Sequence, residues 1–395
     1  MSQLLESVFE RLMGRLPIGW LQLAHNKLRL AAALAGVAFA DILILMQLGF
    51  LGALTESIRF PYLQMNADIL LSASDMNTLA DGSPLPRQRM YEALAVPGVL
   101  SATPLYFAKI DWKQTDGTIR TLDTFGIDPI QPAFKTPRIL AGLDQLTLPD
   151  VALIDAKTRN VPKRVFAEIS AGQPFQFEAR GRTLTVSGTF EIGGGFSADG
   201  YLVVSDQTFL RLFPQRVSGA PNHVLLRLDA ATDRNAVVAE LQQRLPAYDT
   251  IVQTLDETVA KDTAFQTTQK PVGLIFGFGV VIGVLVGCII VYQVLSTDVA
   301  DHIREYATFK AIGYPQRFFL GIVFEEALIL AIFGFIPGLL VASGLYFLVA
   351  GATGLPLSMT LARALTVLFG TIAMCALSGA IATRRLAKAN PADLF

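Results

Sequence analysis

Residues 271–297 read PVGLIFGFGVVIGVLVGCIIVYQVLST, a run without a single charged side chain. A bilayer core about 30 Å thick needs about 20 mostly apolar residues in a helix, so this stretch is long enough to cross it. Three more segments qualify. One lies near Leu30–Leu54 and is interrupted only by Asp41; the others lie near Ala327–Val349 and over Ala364–Thr383. Composition agrees, because only 16% of the 395 residues are charged and 52% are hydrophobic, against roughly 25% charged in soluble domains.

Working outward, the sequence predicts an amphipathic interfacial helix over residues 1–19 and a first transmembrane helix over 20–55. A large extramembrane domain follows over 56–270, then a second helix over 271–297 and a loop over 298–317. A third helix is expected over 318–350, a short loop over 351–362, a fourth helix over 363–384 and a tail over 385–395. Lys27 and Arg29 before an apolar run resemble a signal peptide, but the apolar character runs too far for one, so an uncleaved span is expected. Arg11, Arg15, Lys27, Arg29, Arg304, Lys310, Arg317, Arg384, Arg385 and Lys388 fall on one side of the four spans. Positive charge marks the cytoplasmic side, which places both termini and the 298–317 loop inside and the 56–270 domain outside.

That domain alternates short helices with hairpins. A helix over 86–94 precedes a strand near Val99–Trp112. Asp116-Gly117 turns it into a partner strand over Thr118–Phe125, and Arg180-Gly181 marks a second hairpin. Tyr201–Ser205 reads as a strand followed by a helix capped by Asp206. His223–Leu228 and Asp249–Gln253 read as strands flanking a helix over Arg234–Leu245, and Leu255–Lys270 as a helix leading into the second span. The class is α+β with split βαβ units.

Chemistry is harder to place. A net charge of −1 offers no field for nucleic acid. Cys288 and Cys375 both lie in apolar runs, and His25, His223 and His302 are too scattered for a metal-ligand pattern. No GxxxxGK[ST] phosphate loop, HExxH, GxSxG or CxxC occurs. Gly193-Gly194-Gly195 therefore reads as a mobile turn rather than a phosphate cradle. No catalytic residue, metal or cofactor of the chain's own is expected.

Within the spans, Gly279, Gly283 and Gly287 recur every four residues and permit close helix approach. Ala32, Gly36 and Ala40 on the first span form a candidate partner face, within the chain or across a dimer. Gly334, Pro337 and Gly338 are expected to bend the third span. Asp41 costs on the order of 3 kcal/mol at a bilayer centre and must face protein or water. It is a polar joint between moving helices, or a hydrogen-bonded or protonated packing residue. In the 298–317 loop, Val299, Ile303 and Tyr306 trace one helical face, Gly313 stands where a C-cap belongs and Pro315 stops the helix. Such a short helix either docks on another protein or is a solvated connector.

The loop's run Asp301-His302-Ile303-Arg304-Glu305-Tyr306-Ala307-Thr308-Phe309-Lys310-Ala311-Ile312-Gly313-Tyr314 resembles the Arg-Glu…Lys-Ala-Ile/Met-Gly signature of MacB/FtsX-type ABC transporter permeases. Trp20-Leu21-Gln22-Leu23, Phe39-Ala40-Asp41-Ile42-Leu43, Phe196-Ser197-Ala198-Asp199-Gly200 and Asn390-Pro391-Ala392-Asp393-Leu394-Phe395 extend the likeness over nearly the whole chain. They are similar to the DevC-like group, of heterocyst glycolipid exporter type. The resemblance implies an inner-membrane permease with a MacB-like periplasmic domain between helices 1 and 2. Its implied partners are a second copy of itself, two copies of a separate ABC ATPase that binds ATP and Mg, a periplasmic adaptor (membrane fusion protein) and a TolC-like outer-membrane channel. It further implies that Arg304, Glu305, Lys310, Ala311 and Gly313 form the ATPase-coupling helix. A signalling permease like FtsX, controlling an extracytoplasmic hydrolase, uses the same membrane design.

Overall fold

The computed structural model describes residues 18–114, 116–303, 305, 308, 309 and 312–388. They divide into two compact units. One draws on the described chain up to Leu51, on Ile275–Leu348 and on the chain from Leu357; the other holds Gly52–Leu274 and Val349–Pro356. The amphipathic helix expected over 1–19 lies outside the described residues except for its last two, as does the tail from residue 389.

Helix α1 spans Ile18–His25 and α2 spans Lys27–Gln64. The single span expected over 20–55 is thus broken at Asn26, whose side-chain oxygen accepts from the Arg29 N–H at 3.2 Å as an N-cap would. At the other end α2 runs nine residues past the expected limit of 55, to Gln64. Its last turns stay helical because Leu54, Ile58 and Tyr62 are buried in the core of the second unit, together with the adjoining Met65.

The second unit is built in chain order from β1 (Ile69–Ala73), α3 (Gln88–Leu94), β2 (Val99–Lys113), β3 (Ile119–Ile127), α4 (Pro137–Leu146), β4 (Val151–Asp155) and α5 (Lys163–Ser170). Then come β5 (Phe175–Ala179), β6 (Arg182–Phe190), β7 (Gly200–Ser205), α6 (Asp206–Leu212), β8 (His223–Leu228), α7 (Arg234–Arg244), β9 (Thr250–Thr254) and α8 (Leu255–Thr268). The strands form one mixed sheet in the order β5-β6-β4-β7-β3-β2-β8-β1-β9. Since β1 and β2 both pair antiparallel with β8, they run parallel with β8 between them. By the same reasoning β8 and β9 flank β1. These are the two split βαβ units, interlocked, with α3 and α7 as crossovers.

Period-two alternation explains the layering. In β1, Ile69 and Leu71 join Met90 of α3 and Leu241 of α7 in a core on one face, while Leu70 turns to the core containing Tyr62, Leu105 and Phe125. A third core, with Trp112, Phe166, Phe177 and Phe209, fills the β4–β7 end. The hairpin turn between β5 and β6 places Arg180 and Gly181 at φ 51° and 72°, the left-handed pair a two-residue turn requires. One detail of the reading is corrected: α6 is capped by Ser205, whose hydroxyl accepts from the Thr208 N–H, not by Asp206. A second correction concerns α8. It starts with a Thr254/Glu257 capping box but ends at Thr268, and a fresh helix starts at Pro271, so it does not continue into the second span.

The remaining helices are α9 (Pro271–Asp301), α10 (Gln316–Thr353) and α11 (Leu361–Lys388). Among the described residues α2, α9, α10 and α11 are long and apolar enough to cross a membrane.

Candidate functional site

The loop between α9 and α10 carries the residues that the sequence marked for coupling. Arg304, Lys310 and Ala311 lie outside the described residues; Glu305 and Gly313 are described. The separate helix expected from Val299 does not start there. Val299 is buried beside Leu295 and Val323, so α9 remains helical through Asp301. Further on, Ile303, Glu305, Thr308 and Phe309 are helical. Glu305 is exposed, its carboxylate 3.1 Å from His302 Nδ1.

Gly313 adopts φ +103°, a conformation costly for a residue with a Cβ. There the Tyr314 N–H donates to the Phe309 carbonyl at 3.1 Å, the six-to-one bond of a Schellman stop. The matching apolar contact is present too. Phe309 and Tyr314 meet edge to face at 5.6 Å, and Phe318 lies 4.6 Å from Tyr314 and 6.0 Å from Phe309. The turn into α10 is therefore clasped by three rings.

Near this corner the same unit buries acids that the sequence reading missed. Asp298, Glu325 and Glu326 are all nearly inaccessible. Asp298 and Glu326 lie close to each other. Arg29 reaches Asp301 at 2.5 Å and Asp298 at 3.9 Å. The Trp20 N–H donates to Glu325 Oε1 at 3.4 Å. The available signal was an acidic pair set directly before an apolar run at Ala327.

Asp41 is 0% exposed and accepts a hydrogen bond from the Thr371 hydroxyl. A Cβ on Gly338 would lie 3.1 Å from the Asp41 Cβ. The acid thus sits where α2, α10 and α11 meet. Gly334 serves the same approach, since its Cβ would lie 2.7 Å from Val37 Cβ. The stripe on α9 also faces α2: Gly279 abuts Gln47, a Cβ on Gly283 would come 2.8 Å from Ile44 Cγ1, and one on Gly287 3.1 Å from Ala40 Cβ. Gly36 faces Ile290 of α9 in return. Within one chain, then, the glycine stripe packs against α2 and, at Gly287, also against Met374 of α11, while Ala32 is exposed.

In the α+β unit the glycine loop is held by a buried carboxylate. Asp155 accepts from the Gly193 N–H at 2.6 Å, the Ile192 N–H at 3.2 Å and the Lys157 N–H at 2.9 Å. Backbone donors that a phosphate would need are thus spent on a protein acid. Burial still pushes the Asp155 carboxyl above its ordinary range, against those three bonds. Burial likewise pushes Asp123 up to about 6, with Lys109 pulling the other way. His223 bonds Ser72 Oγ at 2.8 Å and the Leu79 carbonyl at 3.0 Å, and burial pushes it down to about 4. Among the described residues no group of three His, Cys, Asp or Glu side chains is placed to hold a metal.

Two family models match the chain. The MacB-like periplasmic core domain covers residues 30–244, and the FtsX-like permease C-terminal covers residues 276–391. Among solved structures, the periplasmic region of MacB from Actinobacillus actinomycetemcomitans is similar at 11% identity over 49% of this chain and 91% of that one, with a TM-score of 0.32. The extracellular domain of the noncanonic ABC-type transporter YknZ from Gram-positive bacteria is similar at 12% identity over 48% and 98%, with a TM-score of 0.31. No curated protein sequence matches.

Proposed function

The chain belongs to the MacB/FtsX-like family of ABC permeases, and from that premise we propose that it is the permease subunit of a tripartite exporter. A separate ATPase, in two copies, binds and hydrolyses ATP with Mg. Its motion enters the permease dimer at the loop between the second and third spans and passes to the periplasmic domain. The cargo is an amphiphile of glycolipid type, moved toward a periplasmic adaptor and a TolC-like outer-membrane channel. The permease sits in the inner membrane with both termini in the cytoplasm.

One observation carries the coupling role. The corner at Gly313 is stopped by a Schellman bond and clasped by Phe309, Tyr314 and Phe318. A push on the loop is then delivered to α10 rather than absorbed in a soft connector. The glycolipid direction and the adaptor rest on the likeness of Phe39–Leu43, Phe196–Gly200 and Asn390–Phe395 to DevC-like chains. An FtsX-like signalling role would use the same coupling corner without an adaptor.

Purification of the native complex in mild detergent tests this reading. An ATPase and an adaptor should co-purify, and Arg304→Glu should lower transport-linked ATPase stimulation while the chain still inserts. A buried charge mismatch costs roughly 2–5 kcal/mol and one at an exposed rim almost nothing. Recovery of a peptidoglycan hydrolase in place of the adaptor would establish the signalling role. Unchanged ATPase association and stimulation in both Arg304→Glu and Glu305→Lys would remove the coupling role.

A further inference from the structure

Each glycine of the Gly193-Gly194-Gly195 turn has its own structural reason. Gly193 adopts φ +102°, which a residue with a Cβ rarely tolerates. A Cβ on Gly195 would lie 3.1 Å from Ser57 Cβ of α2, and one on Gly194 would lie 2.9 Å from Arg159 Nε. Arg159 follows β4 in the chain and is tied to the far side of the same turn. Its backbone N–H donates to the Asp199 carbonyl at 3.0 Å, and its guanidinium donates to the Ala198 carbonyl at 3.2 Å. Asp199 is stitched in turn to Thr121 of β3. Its N–H donates to the Thr121 carbonyl at 2.7 Å, and its Oδ2 accepts from the Thr121 N–H at 3.1 Å. Strand β7 starts at the next residue, Gly200, and pairs with β3 inside the sheet.

Nearer its backbone, the Arg159 side chain meets the connection between α10 and α11. Helix α10 stops at Gly354, which has φ +67° and donates its N–H to the Ala350 carbonyl at 2.9 Å, a glycine stop. A Cβ on Gly354 would lie 3.1 Å from Arg159 Cγ and 3.6 Å from its Cδ. The arginine stem is therefore held at Gly354 and its head at Gly194 and Ala198. All of these residues lie in the α+β unit, to which Val349–Pro356 belongs. Helix α10 runs unbroken from Gln316 to Thr353, and it starts beside the corner clasped by Phe309, Tyr314 and Phe318. A helix closed by its own hydrogen bonds carries a displacement along its axis, and close-packed contacts at its end pass that displacement on.

We propose that Arg159 is the joint through which movement of α10 enters the α+β sheet, its stem seated on Gly354 and its guanidinium holding the 193–199 loop at the head of β7. The source of the movement, an ATPase acting at the Gly313 corner, rests on the reading above; the connection is a property of this chain alone. Arg159 is a positioning residue, acting on the sheet through the loop.

Amide hydrogen exchange on the full-length chain in detergent micelles tests the connection without any ATPase. Arg159→Ala removes both stem and donor, so exchange should quicken about tenfold in residues 193–200 and 349–356 together. Arg159→Lys keeps a stem and a donor and should stay within about twofold of the unaltered chain. Quickening confined to 193–200 would overturn the proposal. In the complex with its ATPase, a non-hydrolysable ATP analogue should alter exchange at 305–318, 349–356 and 193–200. In Arg159→Ala the response at 193–200 should vanish while the other two remain, and its survival would overturn the joint. In the unaltered chain, a response at 349–356 without one at 193–200 would overturn it too, with no variant needing to fold. No response at 305–318 would overturn the coupling reading instead, while the isolated-chain result would still support the connection.

Discussion

Two buried groups in the α+β sheet give opposite pH dependences, and removing either one should unmask the other. His223 titrates near 4 in the fold and 6.5 in the free chain, because burial disfavours the imidazolium more than the Leu79 carbonyl and Asp81 favour it. Between those values the unfolded chain binds a proton that the fold does not. Stability from His223 is therefore complete above pH 6.5 and lost as pH falls to 4, by about 3 kcal/mol at roughly 1.4 kcal/mol per pH unit. Asp123 has the reverse sign. Burial raises it from 3.8 to about 6, so the fold keeps a proton that the unfolded chain releases. Its contribution is complete below 3.8 and lost as pH rises to 6, again by about 3 kcal/mol. Between pH 4 and 6 the two contributions nearly cancel. The assay is chemical unfolding followed by Trp112, which is buried against Phe175 and Phe177, in a Trp20→Phe background from pH 4 to 8. The stability difference between Asp123→Asn and the parent should grow by about 3 kcal/mol in favour of the variant as pH rises from 4 to 6. That between His223→Gln and the parent should shift by a similar amount in the variant's favour as pH falls from 6.5 to 4. Differences flat to within about 1 kcal/mol across the range would refute the burial argument for that residue.

Gly283→Leu should force α9 away from Ile44, an overpacking that costs typically 1–3 kcal/mol and should lower the detergent melting temperature. An unchanged melting point would mean the helices part there at no cost. The purified chain alone, free of any ATPase subunit, should show no ATP turnover above a no-protein control; sustained hydrolysis would end the two-subunit reading. Accessibility tags at Gln316 should report the cytoplasm and a tag near Asp199 the periplasm, as the Lys and Arg asymmetry requires; the reverse pattern would invert the topology.

Several elements were legible because their signal is local. The uncharged run from Pro271, the Asp116-Gly117 and Arg180-Gly181 turns and the Gly313-Tyr314-Pro315 stop each depend on a few adjacent residues and on the intrinsic limits of φ and hydration. Strands β1 and β4 were not legible, nor were helices α4 and α5. Every residue of β1 and β4 is buried, since helices cover both sheet faces, and a five-residue strand buried on two sides shows no alternation to read. The helix outlasts the expected span for a related reason, as Ile58 and Tyr62 stay helical because the distant β1 and β3 give them a core.

By itself, then, the sequence determined that this chain crosses a membrane four times and carries an α+β domain between the first two spans. Those properties follow from transfer free energy and backbone geometry summed along consecutive residues. The tertiary structure decided which polar groups matter. Asp41 meets Thr371 across 330 positions of chain, Asp298 meets Glu326, and Asp123 faces a cleft walled by α2 and the sheet with no donor on Oδ1. A carboxyl group looks the same in every sequence. Its state depends on what water and which donors the fold leaves beside it, and residues far apart in the chain supply or withhold them.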